Sequence, residues 1–329
     1  MRIAFIGGYG HHYLRPLLKE AGVEIERPVA WAESGAEDGG SSRISEFAGD
    51  VKIYDDPIKL LDDYRPDVLS VGAIYGHNGK YIAEALERGV KQIVSDKPIA
   101  TTWEQLKRIG ELTRDGSAKL LTEFDFRSRK EFRAARDAVR AGQIGRPVLA
   151  TAQKSYRFGQ RPGWYSDRDL FGGLMLWVAS HAIDAIRFTT DLRFERVAGR
   201  GGNLSQPGYG SMEDHCAALF ELEGGATGIV HADYLRPPAA ATHGDDRIRV
   251  AGTQGVIEVR GGRCVLIGSG GETDITEAAH PQAIHLELLA ALRGEASDLY
   301  STELSLELAA VLLCARDAQD QKTWIECAK

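Results

Sequence analysis

QIVSDKPIAT, residues 92–101, is the stretch from which this chain reads outward. Its apolar run is too short for anything but a buried strand of a parallel sheet, and Pro98 biases Lys97 away from helical backbone. Lys97 therefore stands where a strand ends. In open parallel sheets, ligands bind at that edge, outside the carboxyl ends of the strands. A lysine there is either an exposed loop charge, which is the ordinary case, or an ammonium held against a ligand.

The stretches before it favour the second. Residues 3–6 form an apolar strand that runs into Gly7, Gly8, Tyr9, Gly10, His11 and His12, and a helical pattern over 13–20 stops at Gly22. Strand, glycine turn and helix form the entrance to a dinucleotide fold, where backbone N–H groups meet a pyrophosphate. The fingerprint GxGxxG fits as Gly8 and Gly10 with Tyr13 in third place, and a plain tight turn has the same composition. A second strand at 29–32 ends at Glu33 and Ser34. A carboxylate there accepts bonds from ribose hydroxyls and repels a 2′-phosphate, which favours NAD while leaving NADP open. Residues 35–42, polar and glycine-rich, read as a mobile loop.

The alternation continues. Strands are expected at 51–54, 67–72 and 120–124, with a short helix at 56–63 capped by Asp56 and opened by Pro57. A helix reaching Arg88 follows Ile74, Tyr75, Gly76, His77 and Asn78, where the polar side chains either cap or bind. Thr101 and Glu104 form a capping box for a helix over 102–114. Strands alternating with helices in this way predict a Rossmann domain over 1–123.

From 124 the rhythm changes, so 124–329 reads as a second domain. A helix over 130–141 stops at Gly142, and 147–156 is a long extended segment. Gly224–Gly225 separates β-rich runs at 216–221 and 226–234, and Gly261–Gly262 separates 256–260 from 263–268. Both are hairpin signals. Helices near 282–292 and 302–321 close the chain. The fold class is α/β overall: a Rossmann domain, then an α+β domain with a large, mostly antiparallel sheet whose open face a second copy would cover. Within it, GGLMLWVASHAID (172–184) turns helical after two glycines and puts Trp177, His181 and Asp184 on one face. Histidine and carboxylate one turn apart can act together in proton transfer, and a helical histidine can equally be a satisfied core residue.

Composition narrows the classes. The chain has 329 residues, 43% hydrophobic and 26% charged, with a net charge of −7. That balance gives no electrostatic reason to expect nucleic acid. Apolar runs fall short of a bilayer span, and Met1–Arg2 leads straight into a strand, so a cytoplasmic, membrane-free protein is expected. Cys216, Cys264, Cys314 and Cys327 are far apart without a CxxC pair, and neither a zinc site nor a disulfide framework is signalled.

At this point the residues resemble a known family, the Gfo/Idh/MocA oxidoreductases. Ser95-Asp96-Lys97-Pro98 is similar to its Glu-Lys-Pro signature, and Gly172-Gly173 through His181 and Asp184 to its Gly-Gly…His-x-x-Asp signature. Phe126-Arg127, Gly142 through Gly145-Arg146-Pro147, Trp164 and Glu213-Asp214-His215 match as well. The resemblance implies an NAD or NADP domain, a homodimer or homotetramer built on the second domain's sheet, and sugar-like substrates. It implies that Lys97 polarises the reacting hydroxyl and that His181 is the general acid/base. The candidate cofactor residues are Gly7, Gly8, Gly10, His11, Glu33, Ser34, Ile74, Tyr75, His77, Asp96 and Lys97. Those expected around substrate are Arg157, Trp164, Tyr165, Trp177 and Asp184.

One departure stands out. The family carries aspartate four residues before the histidine, where this chain has Trp177, whose indole donates a hydrogen bond and accepts none. Trp177 either fills the core or lines the pocket, and Asp167 or Asp169 is the candidate replacement carboxylate. Three functions compete: a dehydrogenase of sugars or polyols, a glycoside-cleaving or epimerising enzyme that oxidises its substrate transiently with bound NAD, and a non-catalytic nucleotide or sugar sensor.

Overall fold

A computed structural model describes residues 1–32, 50–295 and 297–327. Glu33, Ser34 and the glycine-rich loop after them lie outside the described residues. The chain divides into two compact units.

The first unit comprises Met1–Glu123, Pro162–Gly172 and Ala283–Ala309. Its strands are β1 (Ile3–Ile6), β2 (Val29–Ala32), β3 (Val51–Tyr54), β4 (Val68–Val71), β5 (Gln92–Asp96) and β6 (Lys119–Glu123). All pair in parallel in the order β3-β2-β1-β4-β5-β6. β1, β2 and β4 are buried along their whole length. That is the outcome for strands covered on both faces, and it accounts for their unbroken apolar sequences. Helices α1 (Pro57–Tyr64), α2 (Tyr75–Glu87) and α3 (Trp103–Thr113) connect them. Asp56 caps α1 as expected, accepting from the Ile58 amide at 2.8 Å.

Three local readings differ from the sequence. The helix expected over 13–20 is a 3₁₀ turn, Arg15–Lys19, whose bonds run from residue i to i−3. Pro16 lacks an N–H, and so short a segment ending near Gly22 cannot build an α-helical ladder around it. The capping box of α3 is displaced by one residue: Thr102 Oγ1 accepts from the Gln105 amide, and Gln105 Oε1 accepts from the Thr101 amide. Finally, Pro162–Gly172 and Ala283–Ala309 belong with the first unit although they lie beyond residue 123. Specific bonds hold Ala283–Ala309 there. Lys119 Nζ donates to Ala291 O and Leu292 O, Leu120 and Thr122 amides donate to Thr302 Oγ1 and Ser305 Oγ, and His285 pairs with Glu20.

The second unit comprises Phe124–Arg161, Gly173–Gln282 and Ala310–Lys329. Its strands are β7 (Pro147–Tyr156), β8 (Phe194–Gly202), β9 (His215–Leu222), β10 (Ala226–Asp233), β11 (Gly244–Gly252), β12 (Val256–Arg260), β13 (Arg263–Gly268), β14 (Gly271–Asp274) and β15 (Trp324–Glu326). They form one nine-stranded sheet in the order β14-β13-β12-β11-β7-β10-β9-β8-β15. Every neighbouring pair is antiparallel except β7 with β10. Both double-glycine hairpins form, and all four glycines have positive φ, which a side chain resists. One face of the sheet is covered by helices, among them α4 (Lys130–Arg140) and Ala179–Thr190. The other face carries a row in register, the exposed Ile229 on β10, Leu219 on β9 and Trp324 on β15 with the half-buried Ala198 on β8 between the last two.

Among the described residues, one stretch, Arg168–Thr190, is long and apolar enough to cross a membrane by length and composition. Its most apolar window is 89% buried inside the protein. Gly172 and Gly173, both at positive φ, break it into separate short helices.

Candidate functional site

In the first unit the site is assembled at the carboxyl edge of the sheet. Lys97 follows β5 directly and is only 2% exposed. Its amide donates to Asp96 Oδ1 at 2.9 Å. Asp96 Oδ2 accepts from the His11 amide at 2.8 Å and lies 3.3 Å from His11 Nδ1. The Asp96 carboxylate thus ties the glycine loop to the strand end that carries Lys97. Burial alone would raise Asp96, but the His11 ring and amide and the Lys97 charge pull it down to about 2. Asn78 braces the same corner: its Oδ1 accepts from the Ala73 amide and its amide donates to Pro98 O at 3.0 Å. It is not the cap of α2, whose N-cap position is Ile74 and carries no side-chain cap.

The glycine loop is pressed against the turn after β4. A Cβ on Gly7, whose φ is +97°, would lie 2.4 Å from the Ala73 backbone, and one on Gly10 would lie 2.6 Å from Gly72 Cα. Tyr9 and Gly10 amides both donate to Gly72 O. Those two amides are engaged by the turn after β4, and α2 starts at the same edge without a side-chain cap, a helix terminus suited to phosphate charge. Backbone packing that only glycine permits, beside such a helix end, fits a dinucleotide. Ile74 stands at the N-cap of α2, and Tyr75 and His77 in its first turn. Glu33 and Ser34 lie outside the described residues.

Trp164 and Tyr165, expected near substrate, are buried in this first unit. Tyr75 meets Trp164 edge-on at 5.1 Å, and its hydroxyl is 2.9 Å from that of Tyr165. Tyr9 of the glycine loop packs edge-on against Trp164 as well. Asp169, one of two candidates for the missing carboxylate, brings its backbone carbonyl against Gly76 so closely that a Cβ there would clash at 2.0 Å. Asp167 caps the turn that follows it, accepting from the Asp169 and Leu170 amides.

Glu123, which the sequence reading passed over, ends β6 beside β5 in register with Asp96. It is buried, Oε1 accepts from the Tyr13 amide at 3.3 Å, and Oε2 has no hydrogen-bond partner among the described residues. Burial, reinforced by the Asp96 charge, pushes its carboxyl well above the usual range. A raised acid favours folding while protonated, so this contribution is complete below the unfolded value near 4.5 and is lost as pH rises toward the folded one. Glu123→Gln is therefore expected to raise the thermal midpoint relative to wild type by an amount that grows from pH 4.5 to 8, read by calorimetry. A difference that stays constant with pH would refute it.

In the second unit, the Ala179–Thr190 helix carries His181 and Asp184. His181 is 5% exposed, with Phe124 edge-on at 6.0 Å and Phe126 tilted at 5.3 Å. Its Nδ1 lies 3.1 Å from Asp125 Oδ1, in the 3₁₀ turn Asp125–Ser128 that follows β6. Asp184, expected to work with His181 or substrate, is wholly buried and faces Arg127 instead: Arg127 Nε is 3.2 Å from both carboxylate oxygens, and Nη2 bonds Oδ1. The i+3 spacing put Asp184 on the right side of the helix, but the nearest cation, a turn that sequence alone could not position, claims it. Burial raises Asp184, and the Arg127 guanidinium works against that rise.

Trp177 ends the short Leu174–Trp177 helix and is buried. Arg157 continues β7, partly buried, its amide donating to His243 O at 3.0 Å. Asp125 was missed. The signal that could have found it is the one that singled out Lys97, a polar residue just past the carboxyl end of a parallel strand. Among the described residues, no group of three or more His, Cys, Asp or Glu side chains could hold a metal.

Known proteins bear on this arrangement. Residues 1–124 match the family described as an oxidoreductase family with an NAD-binding Rossmann fold, and residues 132–258 match the GFO/IDH/MocA C-terminal domain. A myo-inositol 2-dehydrogenase of Thermotoga maritima is 28% identical over 238 residues, covering 71% of this chain and 68% of that protein. A D-glucoside 3-dehydrogenase of Escherichia coli is 28% identical over 148 residues, 44% of this chain and 42% of that one, so the match spans less than half of either. A solved structure of a putative oxidoreductase from Thermotoga maritima superposes with a TM-score of 0.90 and 30% identity, covering 99% of this chain and 100% of that chain. The Asp96-Lys97-Pro98 corner on a six-stranded parallel sheet, the His181 helix on a nine-stranded one, and these matches across both place the chain in the Gfo/Idh/MocA family of NAD(P)-binding oxidoreductases.

Proposed function

We propose that the protein is an NAD-dependent dehydrogenase that oxidises a secondary hydroxyl of a sugar or polyol to a ketone. The observation that carries this reading is Lys97, an ammonium 2% exposed at the carboxyl end of β5 in an NAD-binding domain, where a lysine without a task would not be buried. When bound, the nicotinamide supplies the hydride acceptor. Lys97 holds the reacting oxygen and stabilises the negative charge that builds on it. His181 takes the hydroxyl proton, and returns it in the reverse direction. Hydride and proton leave the same carbinol, so the balance needs no further reactant. The acidic place of Glu33 after β2 supports NAD over NADP. The exposed row Leu219, Ile229 and Trp324 supports a homodimer or homotetramer through the sheet.

The test is a panel of hydroxy compounds, starting with myo-inositol and alkyl glucosides because those classes name two relatives, followed by the absorbance of reduced cofactor with NAD and then NADP. Reduction of NAD by at least one member, faster than of NADP, is expected. Nucleotide binding with no turnover across sugars, cyclitols and glycosides would sink the reading.

A further inference from the structure

We infer that Asp125 is the positioning residue for His181, supplying from the turn after β6 the carboxylate that the family carries at the place of Trp177. The inference rests on the reading of His181 as proton acceptor. Three observations carry it. Trp177 can donate to a neighbour but cannot accept the Nδ1 proton of an imidazole. Asp184, the carboxylate on His181's own helix, is bound to Arg127 through both oxygens. Asp125 is an acidic group at the ring, with Oδ1 3.1 Å from Nδ1, an ion-pair contact without the alignment of a hydrogen bond that a small rotation of either side chain would supply.

The chemical consequence concerns the tautomer. A carboxylate at Nδ1 keeps the ring proton on that nitrogen, so Nε2 carries the lone pair that can accept a substrate proton. The same carboxylate stabilises the imidazolium once the proton has arrived. Asp125 is suited to remain ionised for this. Burial would raise it, but His181 and the nearby Lys154 and Arg129 hold it well below the ordinary carboxylate range. Among the described residues, charged groups bearing on Asp125 include Lys154 from β7, Arg129 just past the turn and Asp184 from the helix; Arg127 and Arg187 act on Asp184, and Asp246 pairs with both Lys154 and Arg129.

The experiment compares wild type with Asp125→Asn and Asp125→Glu, reading the pH profile of NAD reduction and the titration of His181 by NMR, its ring signal assigned by its loss in His181→Gln. In Asp125→Asn, the His181 midpoint and the acid limb of kcat should both move at least about one unit lower, because an anion beside the imidazolium is gone. Its kcat should fall about tenfold to a hundredfold, a share of what a positioned base contributes, while KM stays within about threefold. Asp125→Glu should recover most of both. An unmoved His181 midpoint in Asp125→Asn, whatever happens to rate, would overturn the inference, since a merely structural aspartate alters rate without altering the titration. If wild type oxidises nothing yet the midpoint still falls, the pairing stands and the dehydrogenase reading is what fails.

Discussion

Replacing Lys97 by methionine is expected to lower kcat/KM about a hundredfold to a thousandfold, the usual effect of removing a donor aimed at developing negative charge in a dry site. Methionine is close in length and keeps the site filled, but the buried Asp96 carboxylate loses the Lys97 charge that helps hold it ionised, so a loss of stability is expected alongside the loss of rate. Nucleotide affinity, read by calorimetry, should change much less than turnover, because the backbone contacts of the glycine loop and the start of α2 do not involve the Lys97 side chain. Intact binding with lost turnover separates a catalytic lysine from one that only packs. Unchanged turnover would remove Lys97 from the chemistry and with it the main support for an enzyme over a sensor.

The second large effect is structural. Arg127→Met leaves the Asp184 carboxylate, 0% exposed, without its guanidinium. Breaking a buried pair from one side costs about 3–5 kcal/mol, whereas replacing both partners by apolar groups is close to neutral. Urea unfolding should therefore show Arg127→Met strongly destabilised and Arg127→Met/Asp184→Leu much less so. A single variant within about 1 kcal/mol of wild type would show that the pair does not anchor the turn. Because Arg127 shares its 3₁₀ turn with Asp125, the single variant should also disturb the carboxylate beside His181.

Much of this molecule was legible in the sequence because local signals coincided with tertiary ones. Strand 51–54, strand 147–156 and the 302–321 helix fall where period and punctuation put them, and the double glycines at 224–225 and 261–262 make their hairpins. What escaped depends on which distant groups meet. Nothing local says that Arg127 takes Asp184, or that Asp125 then lies at the imidazole. The 13–20 segment misled because its apolar spacing suits a helix while Pro16 and Gly22 leave room only for a tighter turn. Strands β8 and β11 were missed since their sequences, FERVAGRGG and GDDRIRVAG, mix charge and glycine into the alternation and earn their place by pairing.

β6 is the last strand of its sheet, and such a border strand offers unsatisfied amides as a template on which another chain can extend the ladder. Here two of those amides, on Leu120 and Thr122, are quenched by hydroxyls from Thr302 and Ser305, nearly two hundred residues downstream. Until that distant helix has been synthesised and has docked, the nascent nucleotide domain carries an open rim. Truncation at residue 123 would leave it open permanently and invite aggregation through that rim.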